Sequence, residues 1–160
     1  MPARRIRPDL LYTIAWTVVI LMVGILPLKN FVGHSHWEYI KWLPTVEDLR
    51  SPAYLLDIAS DLVGNTLLFF PLGYFLSRLL NSSHPARQLL LAGAIGGILS
   101  LSIEFYQVYC HSRFPSVFDV ITNVTGVLLG VLAGRSRMEA ATAGRNRVLA
   151  PTPQDHTFTP

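Results

Sequence analysis

The apolar positions of this chain fall into four runs, each bounded or interrupted by polar residues near its ends. The first, Leu10 to Leu28, is nineteen residues without a charge. At about 1.5 Å per residue it makes roughly 28 Å of helix, close to the thickness of bilayer hydrocarbon. Arg4, Arg5 and Arg7 precede it, as they would a signal peptide, but the run is longer than a signal core and ends in Gly24-Ile25-Leu26-Pro27 without a small-x-small cleavage pattern. It reads as an uncleaved first transmembrane helix. Three shorter charge-free stretches follow: Leu62 to Ser77 between Asp61 and Arg78, Gln88 to Ile103 running on through Glu104 to Cys110, and Val120 to Gly134 after Asp119. Each falls short of the roughly 20 residues a spanning helix wants. The flanking turns that carry the acids restore the length, so those acids belong inside the membrane ends of the helices.

The predicted helices are therefore 10–28, 58–79, 88–109 and 117–134, with an outer loop over 29–57. Within that loop Trp37, Tyr39 and Trp42 suit an aromatic belt at the interface. Ser51-Pro52 is a helix-start signal, so helix 2 is expected to begin there, along the surface, before entering the bilayer.

Composition removes the alternatives. Charged residues make up 14% of the 160 and apolar ones 51%, against roughly 25% charged in a typical soluble domain. Too few charges remain to coat a soluble globule, and there is too much aliphatic and aromatic content for disorder. The lone Cys110 can form no internal disulfide. The net charge of +3 matters through its placement. Nine basic residues (Arg4, Arg5, Arg7, Arg78, Arg87, Arg135, Arg137, Arg145, Arg147) fall on one side of the predicted topology. Four (Lys29, Lys41, Arg50, Arg113) fall on the other. The positive-inside rule then gives an all-α integral membrane protein with four transmembrane helices as two hairpins, N-in and C-in. Residues 1–9 form a basic cytoplasmic start. Residues 136–160, polar and containing Pro151, Pro153 and Pro160, read as a disordered cytoplasmic tail. No nucleic-acid or coiled-coil signature is present.

The candidate chemistry lies in polar residues placed where a bilayer makes them costly. In helix 2, Asp57, Asp61 and Asn65 are spaced by four and share a face. Asp119 and Asn123 repeat that spacing in helix 4, and Gly73 and Gly130 extend the echo as a parallel pseudo-repeat would. Glu104 and Gln107 share a face near the outer end of helix 3, with Arg113 in the following loop. Asp61, Asn65, Glu104, Gln107, Arg113, Asp119 and Asn123 thus converge on one outward-facing layer. Plainer roles compete. Ser116 and Asp119 have capping-box spacing, and Asn65 and Asn123 suit interhelical hydrogen bonding. Glu104 resists the plain reading, because it lies in the last turns of its helix, where the dipole disfavours negative charge. His34, His36 and His111 match no zinc spacing, so neither a metal nor a cofactor is expected.

Three blocks in order resemble the VanZ-like family of small bacterial membrane proteins. They are Asp61-x3-Asn65 with Phe69-Phe70-Pro71-Leu72-Gly73, then Ser102-Ile103-Glu104-Phe105-Tyr106-Gln107, then Arg113-x5-Asp119-Val120-Ile121-x-Asn123-x2-Gly126. The resemblance implies four transmembrane helices and, through the family's namesake, a link to resistance to teicoplanin-type glycopeptides. It implies no established reaction. The leading expectation is a non-enzymatic protein of the bacterial cytoplasmic membrane with a polar pocket between helices 2, 3 and 4. That pocket would take a lipid head group, a cation, an envelope precursor or a lipoglycopeptide, with Arg113 pairing an acid or a phosphate. Two readings stay open beside it. One is an intramembrane enzyme acting on a lipid-linked envelope precursor, with Glu104 and Asp119 as acid and base. The other is a structural subunit, and either way four helices leave room for oligomerisation.

Overall fold

The computed structural model describes residues 7–40, 50–111 and 115–149. Within them lie four helices long and apolar enough to cross a membrane: α1 (Pro8–Ile25), α2 (Pro52–Leu80), α3 (Pro85–Gln107) and α4 (Val117–Leu149). No strand occurs among the described residues. Proline stands at the first position of α1, α2 and α3, where its missing N–H is not needed and its fixed φ favours a helix start. Ser51 caps α2 by accepting the Tyr54 N–H at 3.4 Å. α1 ends because Pro27 forces Leu26 into extended backbone (φ −78°, ψ 150°). α2 ends at Asn81, which adopts a left-handed φ of 35°, a conformation Asn tolerates better than most residues.

The helices alternate in direction. Trp16 Nε1 donates to the Leu68 carbonyl at 2.8 Å, close to where Pro71 interrupts the α2 ladder. Arg78 meets Asp9 at 2.8 Å, so α1 and α2 are antiparallel. α2 and α4 run parallel and form the closest-packed pair. A β-carbon at Gly130 would overlap the Phe70 carbonyl, and one at Gly73 would overlap the Val127 carbonyl. Gly126 and Gly134 meet Thr66 and Ser77 in the same register. Only glycine lets two backbones approach this closely, the usual solution in bilayers, where side chains gain nothing by leaving lipid. α3 lies antiparallel across this pair, with Gly96 against Val127. Phe69, Leu72, Leu76, Ala92, Ile103, Val127 and Val131 form the core with Ile20 of α1. Large apolar side chains such as Leu56, Leu67, Leu90 and Ile98 point outward, 64–74% exposed, as a lipid-facing surface requires.

One expectation changes. α4 does not stop at 134 but continues to Leu149, so residues 136–149 are helical and only 150–160 of the expected tail lie outside the described residues. The sequence past Gly134 is rich in good helix formers and holds no proline before Pro151. Arg135 also pairs with Glu139 one turn on, at 3.4 Å. α2 starts at Pro52, where the Ser51-Pro52 signal placed it, so the outer loop ends before 57, and the loop carries short 3₁₀ turns at Leu28–Asn30 and Trp37–Tyr39. Val32 N–H bonds the Tyr109 carbonyl (3.0 Å), His36 N–H the Val108 carbonyl (2.9 Å), and His111 N–H the Asn30 carbonyl (2.9 Å). These bonds fold the loop over the end of α3.

At the opposite end a buried polar cluster ties α2, α3 and α4 together. Gln88 is fully buried. Its Nε2 donates to the Ser77 carbonyl, and its Oε1 accepts from Arg135 at 2.7 Å. Arg135 also donates to the Ser82 carbonyl at 3.2 Å. Gln88→Leu would remove one partner from the Arg135 guanidinium, which keeps Ser82 and Glu139, and one from the Ser77 carbonyl, which keeps the Asn81 N–H. It is expected to cost about 1.5–3 kcal/mol, the range for hydrogen bonds to charged groups. A lowered melting temperature of the detergent-solubilised protein, with helicity retained at low temperature, is the check.

Candidate functional site

The end of the bundle where α3 finishes and α4 begins holds most of the polar residues singled out in the sequence. Glu104, one turn before the end of α3, is buried, at 9% exposed. Its Oε2 accepts the backbone N–H of Ser116 at 2.8 Å. Ser116 immediately precedes α4, and its own hydroxyl accepts the Phe118 N–H at 3.2 Å. The capping box expected from Ser116 and Asp119 is therefore completed from another helix: Glu104 takes the N–H that Asp119 was expected to reach. This answers the electrostatic objection to Glu104. Its carboxyl group lies near the negative end of its own α3, but sits at the positive end of α4, which compensates.

One turn deeper a second polar rung joins the same helices. Asn123 Nδ2 donates to Ser100 Oγ at 2.9 Å, with both residues buried, at 5% and 0% exposed. The Asn123 Oδ1 is buried and without a hydrogen-bond partner among the described residues. Ser100 was not singled out from sequence, although it lies four residues before Glu104 and so on the same face of α3. Gln107 is buried but turned elsewhere. Its Nε2 donates to the Gly24 carbonyl at 3.2 Å, satisfying one of the acceptors that α1 leaves open at its C-terminus. Asp119 is half-buried in the first turn of α4.

Asp61 and Asn65 are not hydrogen-bonded into this cluster among the described residues. Asp61 is exposed and Asn65 half-buried on α2. Thr66, next to Asn65, donates to the Thr122 carbonyl at 3.5 Å, which places Asp61 a turn farther out. Arg113 and its expected pairing lie outside the described residues. The histidine rings meet edge to face: His36 sits 4.6 Å from His34 and 5.9 Å from His111, ring centre to ring centre. No group of three or more His, Cys, Asp or Glu able to hold a metal occurs among the described residues.

Beside Glu104 a groove of about 610 Å³ opens between α3 and the start of α4. Ile98, Leu101 and Phe105 form one wall, Val117 and Val120 the other, and Trp37 with Ile40 closes the end. Glu104, Ser102 and Ser116 supply its polar lining. α2 contributes no wall, so the groove lies between α3, α4 and the folded loop rather than between helices 2, 3 and 4. Trp37 is set by its ring contact with Phe105, 6.1 Å between centres. An apolar cleft with a few polar groups at one place is the usual form of a small-molecule or lipid site.

A sequence model of the VanZ/LLP1 family matches residues 10–136. The chain belongs to the VanZ/LLP1 family. With its four apolar helices it is a multi-pass membrane protein of that family. The VanZ/LLP1 match spans all four helices as far as Ser136 and leaves out the α4 extension beyond it. No curated protein and no solved structure matches the chain. Both Glu104 rungs and the groove fall inside the VanZ/LLP1 region.

Proposed function

We propose that this VanZ/LLP1 protein is a non-enzymatic component of the bacterial cytoplasmic membrane that binds an amphiphile in the groove beside Glu104. The ligand's apolar part lies along Leu101, Phe105 and Val120, and its polar part meets Glu104 and Ser116. A lipid-linked envelope precursor or a lipoglycopeptide has this division. The observation that carries the reading is a buried carboxyl group lining a largely apolar, laterally open groove. Intramembrane acids are expensive to keep and usually functional. Asp119, in the first turn of α4, flanks this face, and the Asn123–Ser100 bond one turn deeper holds α3 against α4 beneath it.

The groove faces outward if both termini are cytoplasmic, as the nine-to-four division of basic residues favours. In a Cys110→Ala background, His34→Cys is expected to react with an impermeant maleimide in intact cells, and Ser83→Cys only after permeabilisation. The reverse pattern would turn the groove to the cytoplasm and end its connection with external glycopeptides.

The function itself is tested by glycopeptide and lipoglycopeptide susceptibility in a Gram-positive host. Wild type is expected to protect relative to empty vector, and Glu104→Gln at equal membrane level is expected not to. Equal protection by both would remove Glu104 from the activity.

A further inference from the structure

At the end of the bundle opposite the groove, the start of α1, the end of α2 and the α4 extension enclose a second cavity, of about 580 Å³. This volume falls in the roughly 300–1,000 Å³ range of small-ligand sites. Four guanidinium-bearing residues line it, Arg7, Arg78, Arg137 and Arg145, against one acid, Asp9. Four positive charges less one negative leave a surplus of three. Asp9 is already committed, its Oδ1 accepting the Arg78 Nε at 2.8 Å. Arg7 is held over the C-terminal end of α2, its Nη1 and Nη2 donating to the Leu79 and Arg78 carbonyls, both at 3.4 Å. Arg137 and Arg145 are eight residues apart on α4, hence on one face, with the small Ala141 between them. Neither is paired with an acid among the described residues.

Depth adds to charge. Arg78 lies in the last turn of α2 and Asp9 in the first turn of α1, so the cavity sits where the spans leave the hydrocarbon and head-group phosphates begin. Tyr74, one turn deeper, lines its inner wall and suits that boundary. Arginine's planar fork of donors matches phosphate oxygens two at a time. Basic pockets at helix ends on the cytoplasmic side are known sites for anionic head groups. We infer that this cavity binds a phosphate group, carried by an anionic phospholipid or free in solution. It is independent of the groove reading, because it uses other residues at the other end of the bundle.

Native mass spectrometry of the full chain, purified in neutral detergent and titrated with phosphatidylglycerol or phosphatidylcholine, tests it. Phosphatidylglycerol is expected to be retained preferentially. Arg137→Gln and Arg145→Gln are each expected to weaken it about fivefold, as for loss of one basic residue near an anionic surface. The charge-matched control Arg87→Gln, exposed at the start of α3 and not lining the cavity, is expected to leave it unchanged, and Arg137→Lys to restore part of the loss. Excess inorganic phosphate separates the sources. Lipid retention that survives it assigns a lipid-borne phosphate, and displacement with the same variant dependence assigns a free one. Equal retention of both lipids, or equal loss on Arg87→Gln, would overturn the site and leave only diffuse positive charge.

Discussion

Gly130→Leu is expected to separate α2 from α4 and to remove most of the folded protein from the membrane. Any β-carbon at this position meets the Phe70 carbonyl and the Tyr74 N–H, which are helix backbone and cannot rotate away. Relief requires the two helices to move apart, which also opens the contacts of Gly73 with Val127 and of Gly126 with Thr66. Overpacking a fitted interior costs about 1–3 kcal/mol even where side chains can yield, and here they cannot, so the upper end or more is expected. Gly64→Leu is the internal control. It adds the same atoms to α2 at a position with nothing within 4 Å and is expected to be neutral or slightly stabilising, since glycine is a poor helix former. Membrane yield and melting temperature in detergent give the comparison. Similar losses from both variants would mean that the α2–α4 seam does not hold the bundle.

The second large effect is at Glu104, and two substitutions separate its roles. Glu104→Gln keeps an oxygen that can accept the Ser116 N–H while removing the ionisable group. Stability is expected to change by less than about 1 kcal/mol, the net value of an ordinary hydrogen bond. Protection in the susceptibility assay is nonetheless expected to vanish. Glu104→Leu also removes the acceptor and leaves the half-buried Ser116 N–H, at the start of α4, facing an apolar side chain, so it is expected to cost about 1–3 kcal/mol as well as the activity. If Glu104→Gln is as destabilised as Glu104→Leu, the carboxyl group is a helix cap and nothing more.

Reading the sequence was most reliable where a single helix carries its own signal. The four apolar runs gave the membrane helices, because bilayer thickness sets a length that local hydropathy can meet. Polar helix beyond the membrane is harder to read: residues 136–149 follow the apolar run, and their polarity resembles that of a disordered tail although Arg135 and Glu139 have helix-pair spacing. Gly93, Gly96 and Gly97 of α3 meet only side chains, whereas the tightest backbone contacts use Gly126, Gly130 and Gly134 of α4 with Gly73 of α2. Composition marks small residues but not which helix they face. At the site, Glu104 and Asn123 were legible as polar residues out of place. Their partners, the Ser116 N–H and the Ser100 hydroxyl, were not, because one is a backbone group and the other an unremarkable serine in an apolar run. Gln88, fully buried between Ser77 and Arg135, passed as the first residue of a charge-free stretch.

The central claim is that the groove beside Glu104 holds an amphiphile. Photolabelling tests it most directly. The full chain in lipid nanodiscs would be exposed to a lipoglycopeptide carrying a diazirine in its acyl chain, and the labelled positions mapped by peptide mass spectrometry. The account predicts labelling concentrated on Ile98–Phe105 of α3 and Val117–Val120 of α4, competed by unlabelled compound and reduced about tenfold, or some 1.4 kcal/mol of binding, in Glu104→Gln. Labels spread evenly over the lipid-facing side chains of all four helices, and unchanged by Glu104→Gln, would contradict it.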